Sequence, residues 1–296
     1  MNFATKPAVR RTTVPNWDTA CVVHDRPSPM LHDVPQVWLG GLPIARLDRN
    51  ETADLMIRVA RSRTRRPLIM TSANGEVISR CRRDPALAAL FGHADLISAD
   101  GQPLVLASRL VGTAALPERV ATTDLFHDVA RQAEARGISF YLLGASEAEN
   151  AKACERVKAL YPGLRMAGRS HGYLTGEELA ARVAEIDALA PDIVWVALGV
   201  PREQAFCAQF AGAMPHVGIL KTSGGLLNFL SGTRARAPQW MRHVGLEWAF
   251  RAVQEPRRLL WRYLTTNPHA LYLLARSRSL RPSVVRGPPP GLEEAR

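Results

Sequence analysis

The stretch Ile138-Ser-Phe-Tyr-Leu-Leu-Gly-Ala-Ser-Glu-Ala-Glu149 decides the fold of this chain. It begins with an apolar run as long as a buried strand, passes through a glycine, and reaches the spacing of a capping box at Ser146 and Glu149. Helical spacing of apolar residues then covers 148–160. The stretch therefore predicts a β-strand followed directly by an α-helix.

The same strand-then-helix pattern recurs between Val37 and about Leu230. A second capping box is predicted at Thr175-Gly-Glu-Glu178, ahead of helical spacing over 179–189. Repeated units of this kind predict a Rossmann-like α/β fold, with a mostly parallel sheet and helices on both faces. The strand order stays open. The other apolar runs are 67–71, 95–99, 192–198 and 216–220.

The composition changes towards both ends of the chain, which gives four predicted segments. Residues 1–36, rich in proline and turn formers, are predicted to form a loose arm. Residues 37–235 hold the α/β domain. Residues 236–268 are predicted as a basic helical appendage, with two helices or one kinked helix around Pro256. Residues 269–296, with a Gly-Pro-Pro-Pro run, are predicted to be a disordered tail.

Composition excludes several classes of protein. The 296 residues are 47% hydrophobic and 22% charged, which excludes a disordered chain. The sequence contains no run of 18 apolar residues, so no membrane-spanning helix is predicted. No apolar segment follows the first residues, so no secretory signal is predicted. The cysteines contain no C-x-x-C pair and indicate a reduced, cytosolic setting. They are Cys21, Cys81, Cys154 and Cys207.

The net charge of +11 is concentrated in one segment. Residues 234–286 contain eleven arginines and two glutamates, and so carry +9 of it. Such a segment indicates an anionic partner: a membrane face, a diphosphate or a nucleic acid. Tryptophans at 240, 248 and 261 favour an interfacial membrane helix. A solvated helix face packed on the domain is the plain alternative.

Common nucleotide and metal motifs are missing from the sequence. It contains no G-x-G-x-x-G, no Walker A motif and no H-E-x-x-H. No two of its twelve aspartates stand two residues apart, so it lacks a D-x-D motif. A bound nucleotide diphosphate would therefore be held by arginines and helix N-termini rather than through a metal.

Candidate site residues lie in the loops that follow the predicted strands, where ligands bind in α/β folds. Ser72 and Asn74 follow the apolar run 67–71, and Asp100, a candidate general base, follows the apolar run 95–99. Arg202 and Gln204 follow the run 192–198 and could hold a phosphate or a sugar hydroxyl. For each loop a structural role stays open: a turn with a helix cap, an N-cap aspartate, or an ordinary connection.

A fourth loop, Thr222-Ser-Gly-Gly-Leu226, follows the last predicted strand. Its paired glycines, Gly224 and Gly225, permit close approach of the backbone to a ligand.

Together these motifs resemble the WecG/TagA/CpsF glycosyltransferases, glycosyltransferase family 26, from about Val37 to about Pro268. The longest matching element is Arg236-Ala-Pro-Gln-Trp-Met-Arg-His-Val-Gly-Leu-Glu-Trp248, which continues through Arg251 to Arg262-Tyr263. The shorter elements are Ser72–Glu76, Ala94–Gly101, Leu116–Val120, Leu198–Arg202, Gly224-Gly225 and Gln254–Leu259.

The resemblance implies transfer of a sugar from a UDP-sugar to a polyprenyl-diphosphate-linked acceptor, with inversion and without an essential metal or cofactor. It implies that Asp100 is the catalytic base. It also implies a peripheral location on the cytoplasmic face of the membrane, with residues 236–268 completing the active site. Homo-oligomers are possible, and no nucleic-acid partner is expected. The implied substrate-binding residues are Ser72, Asn74, Arg119, Arg202, Gln204, Gly224 and Gly225, and Arg251, Arg258 and Arg262 are implied to bind diphosphate or membrane.

Three positions depart from the family's pattern. The family commonly has glutamine then glutamate where this chain has Glu203-Gln204, so which of the two faces the pocket stays open. Asn228 replaces a common aspartate and is given no catalytic role. Ser72 replaces a common threonine.

Two alternatives stay open beside a glycosyltransferase. A non-catalytic nucleic-acid-binding protein would use the arginines and tryptophans of the basic segment. A nucleotide-dependent enzyme of another kind, such as an epimerase, is weakened by the missing dinucleotide motif. The donor sugar cannot be read from the sequence.

Overall fold

The computed structural model describes residues 29–111, 115–234, 236–238 and 256–277, together with Met241, Phe250 and Val253. Within these residues a parallel sheet of six strands has the order β4-β3-β8-β7-β5-β6, and a separate antiparallel hairpin pairs β1 with β2. The strands are β1 (Gln36–Leu39), β2 (Leu42–Ala45), β3 (Leu68–Ala73), β4 (Leu96–Ala99), β5 (Ser139–Gly144), β6 (Arg165–Ser170), β7 (Ile193–Ala197) and β8 (Ile219–Thr222).

Helices cover both faces of the sheet, because alternate residues of its strands are apolar on both sides. In β7, Val194 and Val196 join one apolar cluster with Phe91, while Ile193 and Trp195 join another on the opposite face. The predicted Rossmann-like parallel fold is confirmed. The helices are α1 (Arg49–Val59), α2 (Gly75–Arg83), α3 (Pro85–Gly92), α4 (Gln102–Val111), α5 (Thr122–Arg136), α6 (Glu147–Leu160), α7 (Gly176–Leu189), α8 (Arg202–Phe210), α9 (Leu226–Leu230) and α10 (Pro256–Ala275).

One of the two predicted capping boxes is confirmed. At α6 the Ser146 hydroxyl accepts from the Glu149 amide at 3.3 Å, and the Glu149 carboxylate accepts from the Ser146 amide at 3.2 Å. The capping box at Thr175 is wrong: Thr175 precedes α7, yet within the described residues its side chain makes no cap hydrogen bond. Gly176 has a φ of +55°, so the backbone enters α7 by a different turn.

Two parts of the sheet differ from the prediction. β6 was not predicted, because it lies at the sheet edge and its sequence, Arg-Met-Ala-Gly-Arg-Ser, is mostly half-exposed and lacks an apolar run. β8 begins at Ile219 rather than at residue 216, and it extends past residue 220 to include Lys221 and Thr222. A lysine normally marks the end of a buried strand, whereas Lys221 is fully buried.

The C-terminal helix extends further than predicted, while most of residues 239–255, which precede it, lie outside the described ones. Pro256 is its first residue, a position that proline tolerates, and the helix runs through Pro268 to Ala275. Residues 269–275 are therefore helical rather than part of a disordered tail, because Ala270, Leu273 and Leu274 supply a buried apolar face. Of the predicted arm, residues 1–28 lie outside the described residues, as do residues 278–296 of the tail. Every helix in the described part is too short or too polar to span a bilayer.

Gly218 sits where the chain enters β8, and no side chain fits there. A Cβ at Gly218 would lie 1.8 Å from the Ala60 carbonyl oxygen and 2.6 Å from the Asp192 carbonyl oxygen, both backbone atoms. We expect Gly218→Ala to lower the free energy of unfolding by about 1–3 kcal/mol or more, as overpacking does. Urea unfolding measures this. Gly212→Ala is the control, since no described atom lies within 4 Å of its Cβ, and equal midpoints for the two variants would contradict the expectation.

Candidate active site

The carboxyl-terminal ends of β4, β3, β8 and β7 meet at one cleft, which has a volume of about 350 Å³. Parallel α/β sheets bind their ligands at this edge. Loops from distant parts of the chain contribute polar side chains to it. Residues lining the cleft include Ser72, Asn74, Asp100, Arg119, Thr122, Glu203, Ser223, Gly224, Gly225, Phe229 and Asn267.

Asn74 caps a helix and also lines the cleft. It follows β3, and its Oδ1 atom accepts from the Val77 amide at 3.0 Å, which caps the N-terminus of α2. The structural interpretation of this loop is therefore correct. It does not exclude the functional one, because the side chain still borders the cleft and an amide offers both donor and acceptor atoms.

Asp100 follows β4 and borders the cleft. Its carboxylate Oδ2 accepts from the Thr122 hydroxyl at 3.3 Å and faces the Thr122 amide at 3.5 Å, at the start of α5. The residue before that helix, Ala121, has no side chain able to cap it. Asp100 therefore faces the positive end of α5, which stabilises its negative charge. A carboxylate held at the wall of a cleft is suited to accept a proton from a bound hydroxyl.

Behind Asp100 lies a buried lysine. Lys221 is 0% exposed, and its ammonium group donates to the Ser72 hydroxyl at 3.0 Å and to the Thr222 carbonyl at 2.9 Å. The Ser72 and Thr122 hydroxyls are 3.2 Å apart. A continuous series of contacts thus joins Lys221 to Asp100. Burial lowers the pKa of Lys221 to about 8, against the opposing effect of the nearby carboxylates of Glu203 and Asp100.

Glu203, and not Gln204, faces the cleft. The carboxylate of Glu203 accepts from the Gly199 amide at 3.1 Å and the Gly224 amide at 2.8 Å, so it joins the loops that follow β7 and β8. Burial raises the pKa of Glu203, and these amides and the charge of Lys221 oppose that rise.

Gln204 lies in the interior, where its side-chain amide donates to the Thr71 hydroxyl at 3.2 Å. Gln204 is not among the residues that line the cleft, and its substrate contact stays a prediction. On an α-helix, adjacent side chains diverge by about 100°, so only one residue of the Glu203-Gln204 pair can face the cleft.

Arg202 also lies away from the cleft. Its guanidinium group donates to the Gly172 carbonyl at 2.8 Å and stacks over the Tyr173 ring at 5.8 Å. Because Arg202 begins α8 one residue before Glu203, its side chain points to the loop after β6 instead. Arg202 is likewise not among the residues that line the cleft, and its substrate contact stays a prediction.

The other substrate-binding residues predicted in the α/β domain lie at the cleft. Arg119 borders the cleft from the loop before α5. Gly224 has a φ of +56°, and no described atom lies within 4 Å of where its Cβ would be, so a ligand can approach its backbone. Asn228 donates to the Glu149 carboxylate at 2.6 Å, beyond the residues that line the cleft.

The C-terminal part of the chain reaches the cleft through α10. Asn267 of this helix borders the cleft, and α10 packs against α2 and α4. Arg236, further upstream, pairs with Asp124 at the start of α5 at 2.8 Å. Arg258 and Arg262 lie on α10, but their side chains are outside what the structure describes, as is the whole of Arg251. Their predicted contacts with a diphosphate or a membrane stay predictions.

Sequence reasoning missed three residues of the site, Thr122, Lys221 and Asn267, and left Glu203 as one of two alternatives. A signal existed for Lys221, a lysine within an apolar run that leads into Ser223-Gly-Gly. Asn267 gave none, since its place depends on the docking of α10.

A larger hollow of about 680 Å³ lies at the opposite edge of the sheet. Arginines line it, but they hold the chain together: Arg63 pairs with Asp192 at 2.8 Å, and Arg61 donates to the carbonyls of Arg136 and Gly137. We assign the active site to the smaller cleft, where polar side chains converge at the carboxyl ends of the strands. Within the described ranges, no three His, Cys, Asp or Glu side chains are grouped so as to hold a metal ion.

Comparison with known proteins identifies a family that matches this chain. The profile of the family described as "Glycosyl transferase WecG/TagA/CpsF family" matches residues 37–283, most of the chain. One curated relative, from Bacillus spizizenii strain W23, is 32% identical over 200 residues, which are 67% of this chain and 75% of that protein. Another, from Bacillus subtilis strain 168, is 28% identical over 207 residues, 70% of this chain and 78% of that protein.

Both relatives carry the name N-acetylglucosaminyldiphosphoundecaprenol N-acetyl-beta-D-mannosaminyltransferase. The family profile extends from the hairpin strand β1 to beyond the end of α10 and includes every element of the cleft. The resemblance found in the sequence is confirmed, and the chain belongs to the WecG/TagA/CpsF family of glycosyltransferases.

Proposed function

We propose that this protein transfers a sugar from a UDP-sugar to a polyprenyl-diphosphate-linked saccharide during synthesis of a cell-envelope glycan or exopolysaccharide. The observation that carries the proposal is the Asp100 carboxylate, held by Thr122 at the wall of the cleft. The names of the two relatives supply the first pair of substrates to test, an N-acetylmannosamine donor and an N-acetylglucosaminyl-diphosphate-lipid acceptor.

The proposed reaction is a single displacement with inversion. Asp100 removes the proton from a hydroxyl of the acceptor sugar, and that oxygen forms a bond to the anomeric carbon of the donor. The bond from the anomeric carbon to the diphosphate oxygen breaks at the same time, and UDP leaves from the opposite face with the electron pair. Ser72 and Asn74 lie beside Asp100, where they can position sugar hydroxyls.

The departing diphosphate needs positive charge, and we propose that arginines supply it without an essential metal. Arg119 borders the cleft. Arg251, Arg258 and Arg262 are proposed to add to it from the basic segment, which also supplies most of the chain's net charge. No cofactor is required by this chemistry.

We further propose that residues 236–268 bind the inner face of the cell membrane, where the lipid acceptor is embedded. Positive charge supports this, since anionic lipids attract arginines. The packing of α10 on α4 gives additional support, because α4 exposes the apolar side chains of Leu106 and Leu110.

The test is an assay of UDP release by the purified full-length protein. It uses a panel of UDP-sugars and a short-chain polyprenyl-diphosphate-N-acetylglucosamine, with EDTA present and with Asp100→Asn as control. We expect acceptor-dependent release from one donor, which the control loses. A glucose-linked acceptor is run in parallel, so that one incorrect acceptor sugar does not decide the result.

Other outcomes would contradict separate parts of the proposal. Release that requires added Mg²⁺ would refute metal independence alone. If well-folded protein releases no UDP with either acceptor, the proposed sugar transfer is refuted. Affinity for DNA or RNA that falls steeply with salt would then favour the alternative of a nucleic-acid-binding protein that uses the basic segment.

A further inference from the structure

Lys221 is the buried cation beneath the cleft. It lies on β8, in the interior of the sheet between β3 and β7. The chain contains four lysines and 34 arginines, so this position uses the rarer of the two cations. A lysine ammonium has three N–H donors and no acceptor, and two of these donors bind the Ser72 hydroxyl and the Thr222 carbonyl.

The hydrogen bonds in the series from Lys221 to Asp100 all donate in one direction, towards Asp100. Lys221 can only donate, so Ser72 accepts from it. Thr122 uses its hydroxyl proton on the Asp100 carboxylate, and therefore must accept from Ser72 at their 3.2 Å contact. Each hydroxyl thus points its proton towards Asp100. Without the ammonium group, the Ser72 hydroxyl oxygen would lose the donor from which it accepts, and the series would lose the positive charge at its inner end.

Lys221 also balances the charge of nearby carboxylates. The Glu203 side chain is buried, and Lys221 interacts electrostatically with it and with Asp100. A buried carboxylate without a counter-charge is strongly unfavourable. In this chain the buried carboxylate at residue 203 is accompanied by a buried cation at residue 221.

We propose that Lys221 is a positioning residue of the active site, which orients Asp100 through Ser72 and Thr122 and neutralises the buried charge of Glu203. Its catalytic consequence rests on the proposed function, since it concerns the base of that reaction. Its placement as the buried cation of the cleft does not, and it can be measured without substrate.

The kinetic test compares Lys221→Met/Glu203→Gln with Glu203→Gln alone. The double variant removes both buried charges, so we expect it to remain folded, whereas Lys221→Met alone leaves Glu203 without its counter-charge. Relative to Glu203→Gln, the double variant should lose about 10- to 100-fold in kcat, because a misdirected base is costly, with little change in KM. Equal kcat values for the two variants would overturn the positioning role.

The pH profile is a second readout, one that a purely structural role would not move. Burial lowers the pKa of Lys221 to about 8, and Glu203, Asp100 and Cys207 are the titratable groups that act against this. The wild-type kcat/KM should therefore fall as the pH rises through about 8, because the ammonium loses its charge. The double variant should lack this alkaline limb. An identical limb in both proteins would contradict the proposal.

Nuclear magnetic resonance of lysine-labelled full-length protein tests the placement without any substrate. Four side-chain signals are expected, from Lys6, Lys152, Lys158 and Lys221, and the double variant assigns the last by its absence. We expect that signal to titrate near pH 8, well below the ordinary lysine pKa of about 10.4. An ordinary titration of Lys221 would overturn the inference. If the wild-type protein transfers no sugar while Lys221 titrates low, the proposed function fails and the buried cation stands.

Discussion

Asp100→Asn is expected to lower kcat for sugar transfer by about 10²–10⁴-fold, the usual loss when a general base is removed. Asparagine has nearly the same shape, and its carbonyl oxygen can still accept from the Thr122 hydroxyl, as the carboxylate does at 3.3 Å. It cannot take up a proton at neutral pH. The loss should therefore appear in kcat with little change in KM for the donor, and initial-rate kinetics on the donor identified by the UDP-release assay will measure it.

Asp95, at the other end of β4 from Asp100, offers a matched control. It precedes β4, is buried, and pairs with Arg66 at 2.7 Å at the opposite edge of the sheet from Asp100. Asp95→Asn should lower the free energy of unfolding and retain kcat in the folded fraction. Asp100→Asn should lower kcat and leave the free energy of unfolding nearly unchanged. A kcat for Asp100→Asn within a few-fold of wild type would exclude Asp100 as the base.

Glu203→Ala is expected to cost about 3–5 kcal/mol of unfolding free energy, the usual cost of removing one member of a buried charge pair. The substitution removes the acceptor of the Gly199 and Gly224 amides, which join the loops after β7 and β8. It also leaves Lys221 without its main counter-charge. Glu203→Gln should cost less, because both glycine amides donate to the same carboxylate oxygen, Oε2, and the amide oxygen of glutamine can take its place.

Urea unfolding of the full-length protein measures this difference, with Glu155→Ala as the reference. Glu155 is exposed on α6, and exposed substitutions usually change stability by no more than about 0.5 kcal/mol. Glu203→Ala should also be non-additive with Lys221→Met, since the two side chains act on each other. An equal change in the free energy of unfolding for Glu203→Ala and Glu155→Ala would contradict the pairing of Glu203 with Lys221.

The fold class could be predicted because local patterns and tertiary structure agree along most of the chain. The run at 138–143 became β5, and Ser146 capped α6 as its spacing indicates. The predicted bounds of β8 were wrong because Lys221 is charged. Its burial in the sheet depends on interactions with Ser72 and Glu203, which are distant in sequence. β6 was missed because an edge strand does not need an apolar run.

The site was predictable only where a single loop defines it. Asn74 and Asp100 directly follow strands, Ser72 lies at the carboxyl end of β3, and the topology of a parallel sheet brings such strand ends together. The choice between Glu203 and Gln204 depends on the rotation of α8 about its axis, which the packing of that helix sets and the residue types alone do not. Asn267 enters the cleft because Leu273, Leu274 and the Ser277 hydroxyl fix the far end of α10.

The anomeric configuration of the product tests the central claim, a single displacement with inversion, most directly. The wild-type protein is incubated in EDTA with an α-linked UDP-sugar donor and the polyprenyl-diphosphate-linked acceptor. Mass spectrometry identifies the product, and the one-bond carbon–proton coupling at its new anomeric centre gives the configuration. A lipid-linked product one sugar heavier with a β-linkage is the predicted result. Retention of the α-linkage, or no such product with either acceptor, would contradict the account.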